Sequence, residues 1–129
     1  MKKLIIVLLL SLVIFTGCSN KGEVVRVESI MVDEVYKISE NIDDYKDYVI
    51  VDVRSVEEFR SGHIKNSVNV PLPNINEIDI PKDKNIIVYC RSGNRSLTAA
   101  GELQKLGYKK IYNMGGIVDW NYELIEGDE

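Results

Sequence analysis

Two short, almost wholly apolar runs constrain the fold of this chain more than any other feature. Tyr48–Val53 and Ile86–Tyr89 consist mainly of β-branched residues, as strands buried on both faces of a sheet do. Each run is followed by a polar loop and then by a helix-like segment. Repeated units of this kind predict an α/β domain, with a central parallel sheet and helices on both of its faces.

Weaker patterns give the remaining elements. Ser55 and Glu58 form a capping box that starts a short helix ending near Gly62, and Gly107 is placed to end a later helix. The other predicted strands are Val24–Val27, Val68–Val70 and Lys110–Tyr112. The other predicted helical segments are Val32–Ile38, a turn at Ile75–Ile78, Ser96–Leu106 and Ile117–Leu124.

A candidate site follows the second buried run. In parallel α/β folds, sites lie at the carboxyl ends of the strands, which is where Asp52 and Cys90 fall. A loop between a strand end and a helix start directs backbone N–H groups and the positive end of the helix toward one point, so an anion can bind there. A cysteine at that point should be held as its nucleophilic thiolate. The residues placed to bind an anionic substrate are Arg91, Ser92, Gly93, Asn94, Arg95 and Ser96.

The amino-terminal segment predicts export. A basic start precedes the apolar stretch Leu4–Phe15, which is shorter than the roughly 20 residues needed to span a bilayer and fits a secretory signal peptide. The sequence around Gly17 and Cys18 resembles a bacterial lipoprotein signal. That resemblance implies a signal peptide over residues 1–17, lipidation of Cys18, a linker over 18–23 and a folded domain over 24–129. An ordinary signal cut near Gly17 and an uncleaved anchor are the alternatives.

Charge excludes one class of partner. The signal segment carries two lysines and no acidic residues, so its removal moves the formal net charge from −4 to −6. Nucleic-acid binding needs clustered lysine and arginine, so no nucleic-acid partner is predicted. Charge would not hold this chain to an anionic membrane either, and the lipid on Cys18 would have to do so.

The cysteine count points to chemistry at Cys90. Cys18 and Cys90 are the two cysteines of the chain, so lipidation of the first leaves no partner for a disulfide. Thiols outside the cytoplasm tend to be oxidised. A lone thiol there indicates reactivity rather than a structural bridge. The alternative, an inert cysteine at a buried strand end, fits poorly with the polar, turn-forming residues that follow.

Three segments together resemble the rhodanese homology domain, in that family's order and spacing. Val51–Phe59, with Gly62-His63-Ile64 and Asn69-Val70-Pro71 after it, is similar to the family's first signature. Cys90–Ser96 is similar to its active-site loop, and Met114–Ile117 with Trp120 to its carboxyl-terminal signature. The resemblance extends from about Val24 to the end of the chain, and the fold that it implies is rhodanese-like.

The resemblance implies a sulfurtransferase that carries sulfur as a persulfide on Cys90. The donor would be a small molecule such as thiosulfate, and the acceptor a thiol or cyanide. Asp52 would either orient the loop or pair with Arg54 as a structural element, and both roles stay open. His63 would be structural. No metal is expected and no cofactor, since no cluster of ligand residues is present.

Two other functions compete with this interpretation. The first is a cysteine phosphatase or arsenate reductase. Cysteine phosphatases have Cys-x5-Arg, whereas this chain has four residues between Cys90 and Arg95. Within the rhodanese-related group the longer loop fits a phosphate-sized anion and the shorter loop fits sulfur. The second competitor is a non-catalytic sulfur-carrier or binding module displayed at the membrane. The sequence predicts no oligomeric state.

The first testable prediction concerns anchoring. Changing Cys18→Ala removes the thiol that would carry the lipid, so the domain should leave the membrane fraction or accumulate as an unprocessed precursor. Membrane fractionation with mass spectrometry of the amino terminus measures this. A wild-type protein that is soluble in the cytoplasm and retains Met1 would contradict the prediction.

Overall fold

The structure is a computed structural model that describes residues 25–129, and the predictions for residues 1–17, Cys18 and the linker lie outside these residues. Five strands form one parallel sheet in the order β1-β5-β4-β2-β3. Their bounds are β1 Val27–Ser29, β2 Tyr48–Asp52, β3 Val68–Asn69, β4 Asn85–Cys90 and β5 Ile111–Gly116.

Among the described residues, three α-helices and two 3₁₀ segments connect the strands, and a third 3₁₀ segment follows β5. The helices are α1 Val32–Glu40, α2 Val56–Ser61 and α3 Asn94–Lys105. Single 3₁₀ segments cover Ile42–Asp44, Leu72–Glu77 and Ile117–Asp119. Within residues 25–129, no helix combines the length and the apolar character that crossing a bilayer requires.

Side-chain alternation along β4 divides the core into two layers. Ile86, Val88 and Cys90 face α3 and the Leu72–Glu77 segment, whereas Ile87 and Tyr89 face α1 and the carboxyl-terminal segment. All five residues are at most 1% exposed, because successive side chains of a strand point to opposite faces. The predicted parallel sheet with helices on both faces is therefore confirmed.

The predicted helix ends also form. Ser55 Oγ accepts a hydrogen bond from the Glu58 backbone N–H at 3.2 Å, and Glu58 Oε1 accepts one from the Ser55 N–H at 3.3 Å, which is the reciprocal capping box. Gly107 follows α3 with φ +97°, a left-handed conformation that glycine adopts without steric cost.

Two predicted elements were wrong. The first strand is Val27–Ser29 rather than Val24–Val27, because its partner β5 begins at Ile111, opposite Val27. The predicted helix Ile117–Leu124 is only the short segment Ile117–Asp119. Beyond it the chain becomes extended, because Ile125 pairs in an antiparallel bridge with His63.

His63 fixes that carboxyl-terminal segment. Its backbone exchanges two hydrogen bonds with Ile125, of 2.9 and 2.8 Å. Its ring stacks on Phe59 with centroids 3.6 Å apart, and the two ring nitrogens lie 2.8 Å from the carbonyl oxygens of Phe59 and Glu129. The only histidine of the chain is fully buried in these contacts, which supports a structural role for it.

The second prediction follows from this arrangement. His63→Ala should lower the free energy of unfolding by about 2–3 kcal/mol, because it removes buried hydrogen bonds and leaves a cavity beside Phe59. Urea denaturation measures the loss, and the alkylation rate of Cys90 should be unchanged. Lys65→Ala, at a neighbouring exposed position, is the control and should change stability by at most about 1 kcal/mol. A His63→Ala protein of unchanged stability but with an altered alkylation rate of Cys90 would contradict the structural role of His63.

Candidate active site

Cys90 lies where β4 ends and α3 is about to begin. Gly93, the residue before α3, has φ +105°, which lets the chain reverse sharply after the strand. The seven residues 90–96, called the Cys90 loop below, therefore wrap around the sulfur. Cys90 is 1% exposed, and it is the free cysteine of the described residues.

Hydrogen bonds inside the loop favour the thiolate. The Gly93 backbone N–H donates to Cys90 Sγ at 3.0 Å, and Ser96 Oγ lies 3.5 Å from the same sulfur. Burial alone would raise the pKa of the Cys90 thiol, but the Ser96 hydroxyl and the backbone N–H groups of Ser96, Gly93 and Ser92 outweigh it and lower that pKa. The backbone N–H groups of Ser92, Gly93 and Ser96 form an N–H cradle for the sulfur, and Ser96 contributes through its side chain as well.

The end of β5 packs closely against the Cys90 loop. A Cβ atom on Gly116 would clash with the Arg91 carbonyl oxygen and lie 2.8 Å from Ser92 Cα, so only glycine allows this approach. The Val118 N–H donates to the Arg91 carbonyl at 3.2 Å. Between β4 and β5 the register shifts, so that Val88 faces Asn113 and the next residue of β4, Tyr89, faces Gly115. Such bulges often re-aim the chain beside active sites.

Sequence reasoning missed this function of Gly116. The Gly115-Gly116 pair stood out in the sequence, but it indicated only packing and a turn. Which backbone lies against a glycine depends on the register between two strands, and a single sequence does not contain that information.

Arg95 is bound by a carboxylate of α2. Its two terminal nitrogens donate to the two carboxylate oxygens of Glu58 at 2.6 and 2.9 Å. The hydrogen bond from Arg95 is the main cause that lowers the pKa of Glu58 to about 2; burial opposes it, and Ser55 assists it. The sequence identified Glu58 only as a capping residue, so this second role was missed.

Arg91, Ser92 and Asn94 form the exposed side of the loop, called the mouth of the site below. Within residues 25–129 the Arg91 side chain has no hydrogen bond or ion pair. Of the two loop arginines, Arg91 is therefore the one whose charge is available to an incoming anion.

Asp52 lies at the same edge of the sheet but on its other face. It is opposite Tyr89 across β2 and β4, so its side chain points away from the side on which Cys90 lies. Its carboxylate binds Arg54, with Arg54 Nη2 to Asp52 Oδ2 at 2.7 Å, and Arg54 also donates to the Gly62 carbonyl at 2.7 Å. Of the two predicted roles for Asp52, the structure shows the pairing with Arg54.

These features define a class of protein. A parallel α/β sheet presents one buried cysteine at the start of a helix, inside a loop of backbone N–H groups, with one available arginine at its mouth. The arrangement suits a thiolate that attacks a small anion and then holds the charged product. No group of three or more histidine, cysteine, aspartate or glutamate side chains within residues 25–129 is arranged to bind a metal ion.

Comparison with known proteins identifies the family. Residues 32–123 match the Rhodanese-like domain, and the chain belongs to that family. It is 37% identical over 95 residues to a sulfurtransferase of Allochromatium vinosum, covering 70% of this chain and 89% of that protein.

Solved structures agree with this assignment. A rhodanese-related protein from Thermoplasma volcanium has a TM-score of 0.63 at 32% identity, covering 76% of this chain and 97% of that one. A rhodanese with anions from E. coli has a TM-score of 0.56 at 27% identity, covering 62% of this chain and 99% of that one. The fold is rhodanese-like, and the family's sulfurtransferases support sulfur transfer as the general activity.

The third prediction tests the thiolate. The alkylation rate of Cys90 plotted against pH should inflect below the ordinary cysteine value of about 8.5, because a lowered pKa keeps the thiolate populated at lower pH. Ser96→Ala removes the hydroxyl that lies 3.5 Å from the sulfur and contributes to the lowered pKa of the thiol, so it should move the inflection to higher pH. Thr98→Ala, which removes an exposed hydroxyl from the same helix, should leave it unchanged. An inflection near 8.5 in the wild type would contradict the argument.

Proposed function

We propose that this protein is an extracytoplasmic, membrane-anchored sulfurtransferase that carries sulfane sulfur as a persulfide on Cys90. The observation that carries the proposal is the 3.0 Å contact between the Gly93 N–H and Cys90 Sγ, in a loop whose hydrogen bonds lower the pKa of the thiol. The same donors that favour a thiolate also favour a persulfide anion in its place. Membership of the rhodanese-like family supports this chemistry.

The first half-reaction loads the sulfur. The Cys90 thiolate attacks the outer sulfur of thiosulfate or a similar donor, a new S–S bond forms, and the donor's own S–S bond breaks. Sulfite leaves with the bonding electron pair and so takes up the negative charge that the thiolate brought, while the terminal sulfur of the persulfide keeps the charge that it carried in the donor. Because the thiolate exists before the donor binds, no general base is required.

The second half-reaction delivers the sulfur. A thiolate acceptor or cyanide attacks the terminal persulfide sulfur, takes it, and leaves the Cys90 thiolate ready for another cycle. The two steps form a ping-pong sequence with a covalent intermediate. Cys90 is the single thiol of residues 25–129, so the acceptor thiol comes from another molecule.

The length of the Cys90 loop and the lowered pKa of the Cys90 thiol favour sulfur transfer over phosphatase activity and over a non-catalytic carrier function. The Cys90 loop has four residues between Cys90 and Arg95, and Arg95 is engaged with Glu58 rather than open to a phosphate. A non-catalytic carrier would not need the lowered thiol pKa, whereas a sulfur-transferring nucleophile does. These observations support the enzyme over both competitors.

Anchoring through Cys18 is part of the proposal. It is supported by the apolar stretch Leu4–Phe15 that lies just before Gly17-Cys18, and the membrane partner would be reached through the attached lipid.

The fourth prediction concerns activity. The purified domain should transfer sulfur from thiosulfate to cyanide, measured as thiocyanate, and should show negligible aryl-phosphatase activity. Cys90→Ser should abolish the transfer while the fold is retained, because a serine hydroxyl stays protonated near neutral pH and forms no persulfide. Mass spectrometry should find one added sulfur on Cys90 after thiosulfate treatment.

Two results would separate the competing functions. Phosphatase turnover without sulfur transfer would favour the phosphatase. A persulfide on Cys90 that no acceptor removes would favour the carrier module. Insertion of one glycine between Ser92 and Asn94 should weaken sulfur transfer, because it lengthens the loop that surrounds the sulfur.

A further inference from the structure

Nearly every charge around the Cys90 loop is paired. Arg54 binds Asp52, and Arg95 binds Glu58, each pair contributing no net charge. Arg91 at the mouth is left without a carboxylate partner within residues 25–129. Of the two loop arginines, Arg91 alone therefore carries an uncompensated charge among the described residues.

Both residues of the Glu58–Arg95 pair lie in the first turn of a helix. Arg95 lies in the first turn of α3, five residues after Cys90, and Glu58 lies in the first turn of α2, where its carboxylate also accepts from the Ser55 N–H. The Glu58 hydrogen bond is the main cause that raises the pKa of Arg95, and the negative charge of Cys90 adds to it. Arg95 is thus close enough to interact with the sulfur while Glu58 offsets its charge.

We propose that Glu58 is a specificity-determining residue, which offsets the charge of Arg95 so that the site favours sulfur donors with one negative charge over dianions. The inference rests on the proposed function and deepens it, since it names the donor class. Organic thiosulfonates and persulfides carry a single charge beside the transferable sulfur, whereas thiosulfate carries two. A second free arginine would favour the dianion, and Glu58 removes that advantage.

Two small donors allow this to be measured. Thiosulfate gives the Cys90 persulfide and sulfite. Methanethiosulfonate, CH₃SO₂S⁻, gives the same persulfide and methanesulfinate: the thiolate forms an S–S bond to the terminal sulfur, the donor's S–S bond breaks, and its electron pair leaves with the sulfinate. The two donors differ from each other by one negative charge, and so do the two leaving groups.

The decisive variant is Glu58→Gln. Glutamine is also accepted at this position of a capping box, so the helix start is retained while one negative charge is lost. Loading of Cys90 with sulfur is measured in single-turnover experiments as the thiocyanate that cyanide then releases. In Glu58→Gln, the second-order rate constant for thiosulfate divided by that for methanethiosulfonate should rise about three- to fivefold over the wild type, as expected for one partly screened charge. The rise should shrink in about 1 M salt, where the screening length is about 3 Å.

Two controls separate charge from structure. Glu57→Gln removes the same charge from the neighbouring, exposed position of α2, whose charge acts on Arg60, and it should leave the ratio unchanged. Ser55→Ala weakens the cap without removing a charge, so it should lower stability and leave the ratio unchanged. An unchanged ratio in folded Glu58→Gln, or an equal loss with both donors, would overturn the inference.

A second readout does not depend on sulfur transfer. Iodoacetate is an anion and iodoacetamide is neutral, and both alkylate the Cys90 thiolate. Glu58→Gln should raise the ratio of their rates about three- to fivefold, and Glu57→Gln should not. If the wild type accepts sulfur from neither donor, the proposed function fails, and this ratio still decides whether Glu58 selects by charge.

Discussion

The buried ion pair between Asp52 and Arg54 supports much of what surrounds it. Asp52 is fully buried and the Arg54 side chain is 7% exposed, so removing either partner would leave an uncompensated charge, at a cost of about 3–5 kcal/mol. Arg54 reaches the Gly62 carbonyl at the end of α2, and the Asn69 side chain binds the carbonyls of Asp52 and Arg54. The pair thus joins the end of β2 to β3 and to α2.

The position of the Cys90 loop depends on that support. α2 carries Glu58, and Glu58 holds Arg95 in the first turn of α3. The two arginine–carboxylate pairs differ in their energetics. The Asp52–Arg54 pair is shielded from water, whereas about a third of each side chain in the Glu58–Arg95 pair is exposed, so water and salt weaken it. The Asp52–Arg54 pair is therefore suited to a structural role, and the Glu58–Arg95 pair to adjusting the charge at the mouth of the site.

Local patterns in the sequence predicted the fold and most of the loop. The buried runs, the Ser55 capping box and the strand–loop–helix order around Cys90 depend on neighbouring residues, and all of them form in the structure. The family assignment confirms the rhodanese-like resemblance. The N–H cradle follows from the same local order, because a helix start after a strand end directs its donors toward one point.

What the sequence did not predict depends on contacts between distant segments. Ile117–Leu124 has apolar residues that fit a helix, but pairing of Ile125 with His63 draws this segment into an extended path. The clash that excludes a side chain at Gly116 arises from the register of β5 with β4. The second role of Glu58 requires the first turns of α2 and α3 to lie close together, a relation that no short motif encodes.

The parallel direction of the edge strand β1 has a consequence for orientation. Since β1 runs parallel to the other strands, residue 25 lies at the edge where strands begin and Cys90 at the edge where they end. Gln104, in the last turns of α3, donates to the Val25 carbonyl at 2.6 Å and fixes this entry point. A six-residue strand such as β4 is about 20 Å long. The point where the described chain enters the sheet and the mouth of the site therefore lie at opposite ends of the strands.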